Sequence, residues 1–361
     1  MSRRSEHGGN VYAAARSSGR CVTEWIDFSA SINPLGPSPR ARRAIVAALD
    51  LVSHYPDPDC VSLRRALATH YKCAPEQLLI GNGSTELIHL LPRALPIRRA
   101  LIIGPAFSEY ARAVSLAGGQ ALLVNATRDE EYRPPFDRAL RILKKKNPNF
   151  DAVFLCHPNS PTGQAADVEN ILELAHVARR RHASVIVDET FVEYCQERSV
   201  LPHLNRMPHV LMLRSFTKFY ALPALRAGCL VGGADVVRRI GHAQPPWSVN
   251  ALSQAAVLAS IADLRYATRS RTFMDRERPR FSRALQSFPG VTVFPSDANF
   301  LLLELPERYS AAHVTRALWR HGMLIRDCSH IDGLTSRMIR VAVRTKSENE
   351  RLITEFRRIL R

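Results

Sequence analysis

Short apolar runs recur through the first two thirds of the chain, and each ends in a turn-forming residue. Leu78-Leu79-Ile80 leads into Gly81-Asn82-Gly83, and Leu101-Ile102-Ile103 into Gly104-Pro105. Ala152-Val153-Phe154-Leu155-Cys156 precedes a Pro-Asn turn, Val185-Ile186-Val187 ends at Asp188-Glu189, and Val210-Leu211-Met212-Leu213 at Arg214-Ser215. The runs do not alternate with polar residues, and helical lengths of chain separate them. That pattern predicts an α/β unit with a mostly parallel sheet buried on both faces. Ligands of such sheets sit beyond the carboxyl ends of the strands, so the residues just after each run matter most.

After about residue 245 the pattern changes. A long helical stretch is followed by short strands at 291–294 and 300–303 and a helix over 311–321. Strands at 323–326 and 339–343 and a last helix from Ser347 complete a smaller α+β domain. Residues 1–40, rich in Gly, Ser and Pro, read as an irregular arm. Residues 41–51 read as a helix, broken at His54-Tyr55-Pro56-Asp57-Pro58. The expected division is an arm over 1–40, a large domain over 41–245 and a small C-terminal domain over 246–361.

Composition narrows the function classes. With 361 residues, 46% of them hydrophobic, the chain suits one large globular domain plus a smaller one. No apolar run approaches the roughly 18 residues of a membrane span, and the basic start has no apolar core behind it, so it is not a secretory signal. Seven cysteines are scattered without a Cys-x-x-Cys, which suits reduced thiols in a cytoplasm and argues against a disulfide framework or a metal site. The net charge of +17 comes from six lysines and 44 arginines spread over the chain, with one block at 144–146 that reads as a solvated helix end. No nucleic-acid-binding motif accompanies it, so neither nucleic acid nor membrane is an expected partner. The charge favours small anions, phosphates among them, through a positive field around the site.

Four strand-end elements carry candidate chemistry. In Arg214-Ser215-Phe216-Thr217-Lys218-Phe219-Tyr220 a lysine follows an apolar strand among hydroxyls and aromatics. Burial and nearby cations lower a lysine's pKa and make its amine nucleophilic. Gly81-Asn82-Gly83-Ser84-Thr85-Glu86 joins a strand to a helix start through a glycine turn, the arrangement of a phosphate site. Asn159-Ser160-Pro161-Thr162-Gly163 is a rigid turn at a strand end, and Asp188 closes another strand. Singly, each has a plainer reading, as a surface lysine, a helix cap or an arginine's partner. A buried aspartate facing a pyridinium nitrogen would keep such a ring protonated.

In order and spacing these elements resemble the fold type I pyridoxal 5′-phosphate (PLP) enzymes of the aspartate aminotransferase superfamily, over essentially the whole chain. The resemblance implies PLP held as a Schiff base on Lys218, with Asp188 on the pyridine nitrogen. Ser84, Thr85, Ser215 and Arg226 would hold its phosphate, with Thr217 a weaker candidate. Asn159 would bond the 3′-oxygen and Phe107 would stack on the ring. Tyr55 would reach the phosphate from a second subunit, implying a homodimer. Phe191 stands where many relatives carry a tyrosine, which removes one hydrogen bond to the 3′-oxygen.

Within the superfamily the chain is similar to threonine-phosphate decarboxylases and histidinol-phosphate aminotransferases. His7-Gly8-Gly9-Asn10, the stretch 27–36, the stretch 244–250, and Arg326 and Arg340 in their strands favour the decarboxylases. That likeness implies a phosphorylated amino-acid substrate, L-threonine O-3-phosphate, converted to (R)-1-amino-2-propanol O-2-phosphate for cobalamin biosynthesis. Arg340 would grip the α-carboxylate and Arg326 the substrate's phosphate, with His7, the Gly8 amide and Ser31 closing over it in the arm. Many relatives have asparagine in place of Ser31, so Asn33 is a further possible contributor.

Overall fold

A computed structural model describes residues 7–145 and 147–360. Lys146 of the lysine block and the first six residues, on which the reading of the chain start rests, lie outside the described residues. The strands are β1 (Ile26–Asp27), β2 (Leu78–Gly81), β3 (Arg99–Gly104), β4 (Gln120–Asn125), β5 (Ala152–Cys156), β6 (Ser184–Asp188), β7 (Val210–Ser215) and β8 (Gly228–Val231), then β9 (Thr292–Val293), β10 (Phe300–Glu304), β11 (Met323–Leu324), β12 (Arg326–Asp327) and β13 (Met338–Ala342).

Seven strands form the main sheet in the order β2-β8-β7-β6-β5-β3-β4. Only β8 runs against its neighbours β2 and β7; β3 through β7 pair in parallel. Successive side chains of a strand point to opposite faces, and here both faces are covered. Val153, Leu155, Val185 and Val187 enter one apolar cluster, while Ala152, Phe154 and Ile186 enter another on the opposite side. This is why the runs carry no polar alternation. Burying each of the Val, Leu, Ile and Phe side chains contributes about 1.5–3 kcal/mol.

The smaller sheet is antiparallel, in the order β12-β13-β10-β9. β1 pairs with β11 in parallel, and Phe28 N–H donates to the Leu324 carbonyl at 2.7 Å while its carbonyl accepts from Ala342 N–H at 2.8 Å. The amino-terminal segment is thereby stitched to the small sheet rather than to the large one.

The structure corrects the sequence reading in four places. The arm is not wholly irregular: Val11–Ser18 is a helix, capped by the Asn10 side chain and ended by Gly19 in the left-handed region. Three consecutive alanines are strong helix formers, which the surrounding Gly and Ser hide. β4 and β8 lie outside the predicted runs; β4 is a partly exposed edge strand and β8 is a four-residue stretch opening on Gly228. The single strand expected over 323–326 is two, because β11 turns to β1 and β12 to β13. The long helical stretch is two helices, Ala251–Ile261 and Leu264–Gln286, with Asp263 capping the second.

Candidate active site

The carboxyl ends of β2, β5, β6 and β7 open on a cavity of about 680 Å³ that also meets the small sheet and the amino-terminal segment. At its floor is Lys218, three residues beyond the end of β7 and half-buried. Burial, reinforced by the Arg340 and Arg226 guanidinium groups, pulls its amine down to a pKa of about 8. Its backbone carbonyl accepts from Asn33 N–H at 3.0 Å, so the turn is braced from the amino-terminal segment.

On one side of Lys218 is an anion cradle. Ser84 and Thr85 open the helix Gly83–Ala94, whose free amides and dipole favour negative charge. Ser215 Oγ and Thr217 Oγ1 lie 2.8 Å apart beside them, and Arg226 completes the cradle. Gly83 is at φ +79°, and a Cβ there would lie 2.4 Å from the Arg226 guanidinium. A Cβ on Gly228 would lie 2.5 Å from the Ser84 amide nitrogen. Both glycines are therefore needed for the cradle to close.

On the other side Asp188 ends β6 with 4% of its surface exposed. Its Oδ1 accepts from Thr190 N–H at 3.0 Å and from Thr190 Oγ1 at 2.6 Å, and its Oδ2 accepts from Tyr110 OH at 2.7 Å. Burial raises its pKa, and the Thr190 and Tyr110 hydrogen bonds pull the other way. Phe107 lies on the cavity wall edge-on to Tyr110 at 5.7 Å. These parts fit PLP: an amine, a buried carboxylate for a protonated ring nitrogen, an aromatic face, and an anion cradle shaped by two glycines.

The far end of the cavity is cationic. Arg340 on β13 donates to Ser160 Oγ at 3.0 Å and to the Ser29 carbonyl at 3.1 Å, and sits over the Phe300 ring at 4.8 Å. Arg326 on β12 is its register partner. Like charges directly opposite on antiparallel strands repel, so the pair is arranged for anions. His7 and Gly8 reach the same cavity. His7 Nε2 lies 3.0 Å from Glu109 Oε1, and His89 and Arg112 share the same buried carboxylate.

Four expected site residues lie outside the cavity wall. Asn33 has a different task from the substrate contact expected of it: its Nδ2 donates to the Phe219 carbonyl, Tyr266 OH and Ser270 Oγ at 2.8–3.0 Å, locking the lysine turn from behind. Ser31 is buried, and its carbonyl accepts from Asn299 Nδ2. Asn159 is tied to the Pro105 carbonyl and to Thr162 N–H at about 3.0 Å each, which leaves one N–H of its amide. Tyr55 is 81% exposed and stacks on Trp247 at 4.7 Å.

Sequence reasoning missed Tyr110, Thr190, Ser160 and Glu109. The signal for Tyr110 is its place three residues after Phe107 at a helix start, and for Thr190 its place two residues after Asp188, where a hydroxyl caps a carboxylate. All seven cysteines are free thiols, and no cluster of metal-ligating side chains occurs among the described residues. No helix among them is long and apolar enough to cross a membrane.

Residues 23–356 match the aminotransferase class I and II family. The threonine-phosphate decarboxylase of Salmonella typhimurium is 37% identical over 99% of this chain and 97% of its own length. A histidinol-phosphate aminotransferase of Caldanaerobacter subterraneus subsp. tengcongensis is 30% identical over 86% of this chain and 85% of its own. Among solved structures, L-threonine-O-3-phosphate decarboxylase from Porphyromonas gingivalis superposes with a TM-score of 0.82 at 27% identity, covering 92% of this chain and 98% of that one.

Proposed function

The chain belongs to the aminotransferase class I and II family, whose cofactor is PLP, and on that premise we propose that it decarboxylates L-threonine O-3-phosphate. The product is (R)-1-amino-2-propanol O-2-phosphate, an intermediate for cobalamin biosynthesis. The observation that carries this reading is the pairing of Arg326 with Arg340 across β12 and β13 at the cavity end beyond Lys218. Two guanidinium groups held together suit a substrate with two anionic ends, a carboxylate and a phosphate. The relative that covers nearly all of both chains, amino-terminal segment included, supports it.

When bound, PLP supplies an electron sink for the pair released at the substrate's Cα. The protein's residues do the rest. Ser84, Thr85, Ser215 and Arg226, helped by Thr217, hold the cofactor's phosphate, Phe107 covers its ring, and the remaining Asn159 N–H serves the 3′-oxygen. Asp188, fixed by Thr190 and Tyr110, keeps a negative charge beside the ring nitrogen. Arg340 grips the carboxylate and sets its direction, while Arg326, His7 and the Gly8 amide hold the phosphate. Lys218 anchors the cofactor and, with its pKa near neutrality, returns a proton to Cα from Nζ. Decarboxylation and transamination differ in which bond at Cα is turned across the ring plane, so the placing of Arg340 decides the outcome.

We further assign 1–40 as an arm over the site, 41–245 as the cofactor domain and 246–361 as the small domain. The enzyme is taken as a cytoplasmic homodimer in which Tyr55 serves the other subunit's cofactor phosphate. Val46, Leu49, Leu51 and Val52, exposed in the segment just before Tyr55, support a covered surface there.

The test is carbon dioxide release from L-threonine O-3-phosphate by the PLP-loaded protein with no keto-acid added. Stoichiometric release with aminopropanol phosphate is expected. Amino transfer from histidinol phosphate to 2-oxoglutarate, with no carbon dioxide, would overturn the reading in favour of the aminotransferase that the 30% identical relative suggests.

A further inference from the structure

We propose that Ser29 is a positioning residue that seats the amino-terminal arm beside Arg340, and thereby sets the preference for a substrate that carries a phosphate. The proposal deepens the reading above and rests on it, in that His7 and the Gly8 amide are placed at the substrate's phosphate and Arg340 at its carboxylate.

Ser29 is buried, and both its hydroxyl and its carbonyl are engaged. Its Oγ donates to Asp27 Oδ1 at 2.6 Å and accepts from Gly9 N–H at 2.8 Å. A hydroxyl has one proton, and with that proton on the carboxylate its lone pairs are left for the arm. The Asp27 charge polarises the hydroxyl and strengthens its acceptance of the Gly9 N–H. The Ser29 carbonyl accepts from Arg340 NH2 at 3.1 Å. One residue therefore touches both the arm and the arginine.

The arm lies flat on this residue. A Cβ on Gly8 would lie 2.3 Å from the Ser29 carbonyl oxygen and 2.8 Å from its carbonyl carbon, so a side chain there would lift the exposed arm off its seat. Just beyond, Asn10 Oδ1 accepts from Ala13 N–H at 3.0 Å and starts the helix Val11–Ser18, whose Ala14 is buried. Residues 8–10 are thus held between Ser29 and a helix start.

The seat itself is fixed. Asp27 Oδ1 also accepts from Ser29 N–H at 2.7 Å and from Ala30 N–H at 3.2 Å. Further along, the Ser31 carbonyl accepts from Asn299 Nδ2 at 3.0 Å, and Asn33 N–H donates to the Lys218 carbonyl at 3.0 Å. A segment tied at both ends gives the arm a pre-positioned support, which lowers the entropy cost of binding through it. A ligand with two anionic ends draws on the arm and on Arg340 together. Of the two, a ligand without the phosphate draws on Arg340 alone.

The test uses the PLP-loaded protein. Binding of L-threonine O-3-phosphate and of L-threonine is read from the spectral change of the bound cofactor, and the hold on residues 8–10 from their amide hydrogen exchange by mass spectrometry. Ser29→Ala removes the hydroxyl and keeps the carbonyl. It should weaken binding of the phosphorylated ligand by about two- to tenfold, the range of one hydrogen bond. Exchange at residues 8–10 should quicken by a similar factor, with L-threonine affinity unchanged. Gly8→Ala, which pushes the arm off the same seat with Ser29 intact, should give the same binding and exchange pattern. In turnover by Ser29→Ala, KM for the phosphorylated substrate should rise while kcat stays within about twofold. Unchanged exchange in Ser29→Ala, or an equal loss for both ligands, would overturn the proposal. Unaltered protein that bound both ligands alike, or released no carbon dioxide, would overturn the decarboxylase reading instead, while exchange at residues 8–10 would still decide whether Ser29 seats the arm.

Discussion

The two ends of the cavity are built differently. At the cofactor end the subunit's own groups come from one frame, the carboxyl edge of the large sheet: Ser84 and Thr85 after β2, Asp188 on β6, Ser215 and Lys218 at and after β7. At the far end Arg326 and Arg340 come from the small sheet and His330 from the turn after β12, Ser160 from a turn of the large one, and His7, Gly8 and Ser29 from the amino-terminal segment. Arg340 bonds to two of these three sources at once, through Ser160 Oγ and the Ser29 carbonyl. The difference teaches where each property resides. On the proposed reading, the frame would carry the chemistry common to the family, and the junction of three segments would decide which molecule is held and in what direction.

The sharpest break of this contrast is Lys218→Ala. It removes the amine at the floor, and turnover should fall by at least about 10³-fold together with the visible absorbance expected of a lysine-bound cofactor. Turnover that survived would move the chemistry off the frame altogether. Arg340→Ala attacks the other end. It leaves the substrate carboxylate unpaired in a buried place, and binding of the phosphorylated amino acid should weaken by about 2–5 kcal/mol. PLP affinity should be nearly unchanged, because the cradle around Arg226 is a separate structure. Equal loss of both affinities, measured by titration, would show that the ends are not independent.

The same contrast governs what could be read from sequence. The cofactor end was legible because its groups follow apolar runs directly: Lys218, Asp188 and the Ser84-Thr85 pair each stand within a few residues of a strand end. Arg326 and Arg340 were legible only through family likeness, since 14 residues separate them and their register pairing is a tertiary fact. Asn33 shows the limit. The asparagine that many relatives carry in place of Ser31 suggested it as a possible substrate contact, but its amide is turned inward to Phe219, Tyr266 and Ser270. A short polar segment does not reveal which of its side chains will face a cavity and which will fill the wall behind it. β4 was hidden for a related reason, as an edge strand lacks the continuous burial that marks its neighbours.

A smaller effect separates the ends through pH. The Lys218 amine has an ordinary pKa of 10.5 and one of about 8 in the folded, cofactor-free protein. Between these values the unfolded chain binds more protons than the folded one, so this group makes stability rise with pH from about 8 to about 10.5. Below about 8 the folded state carries the full cost of the buried charge, on the order of 3 kcal/mol. Lys218→Met should therefore be more stable than the unaltered cofactor-free protein at pH 7, and the gap should close by pH 10.5. Urea unfolding of the two proteins across this range measures it. A constant gap would show that burial does not set the lysine's charge.

The smallest expected effect tests how the frame holds its carboxylate. Tyr110 OH donates to Asp188 Oδ2 at 2.7 Å, and burial already presses the Asp188 pKa upward. Tyr110→Phe removes one of the bonds that favour the charged carboxylate and keeps the ring packed on Phe154. The Asp188 pKa should then rise further, weakening its hold on a protonated ring nitrogen. One hydrogen bond to a charged group contributes about 1.5–3 kcal/mol, and Thr190 still supplies two contacts to Oδ1. A fall in kcat near the lower end of that range, about tenfold, is expected with little change in KM for the phosphorylated substrate. A rise in KM at constant kcat would mean that Tyr110 belongs to the far end, through Phe107 and the amino-terminal segment, and that the two ends share a wall.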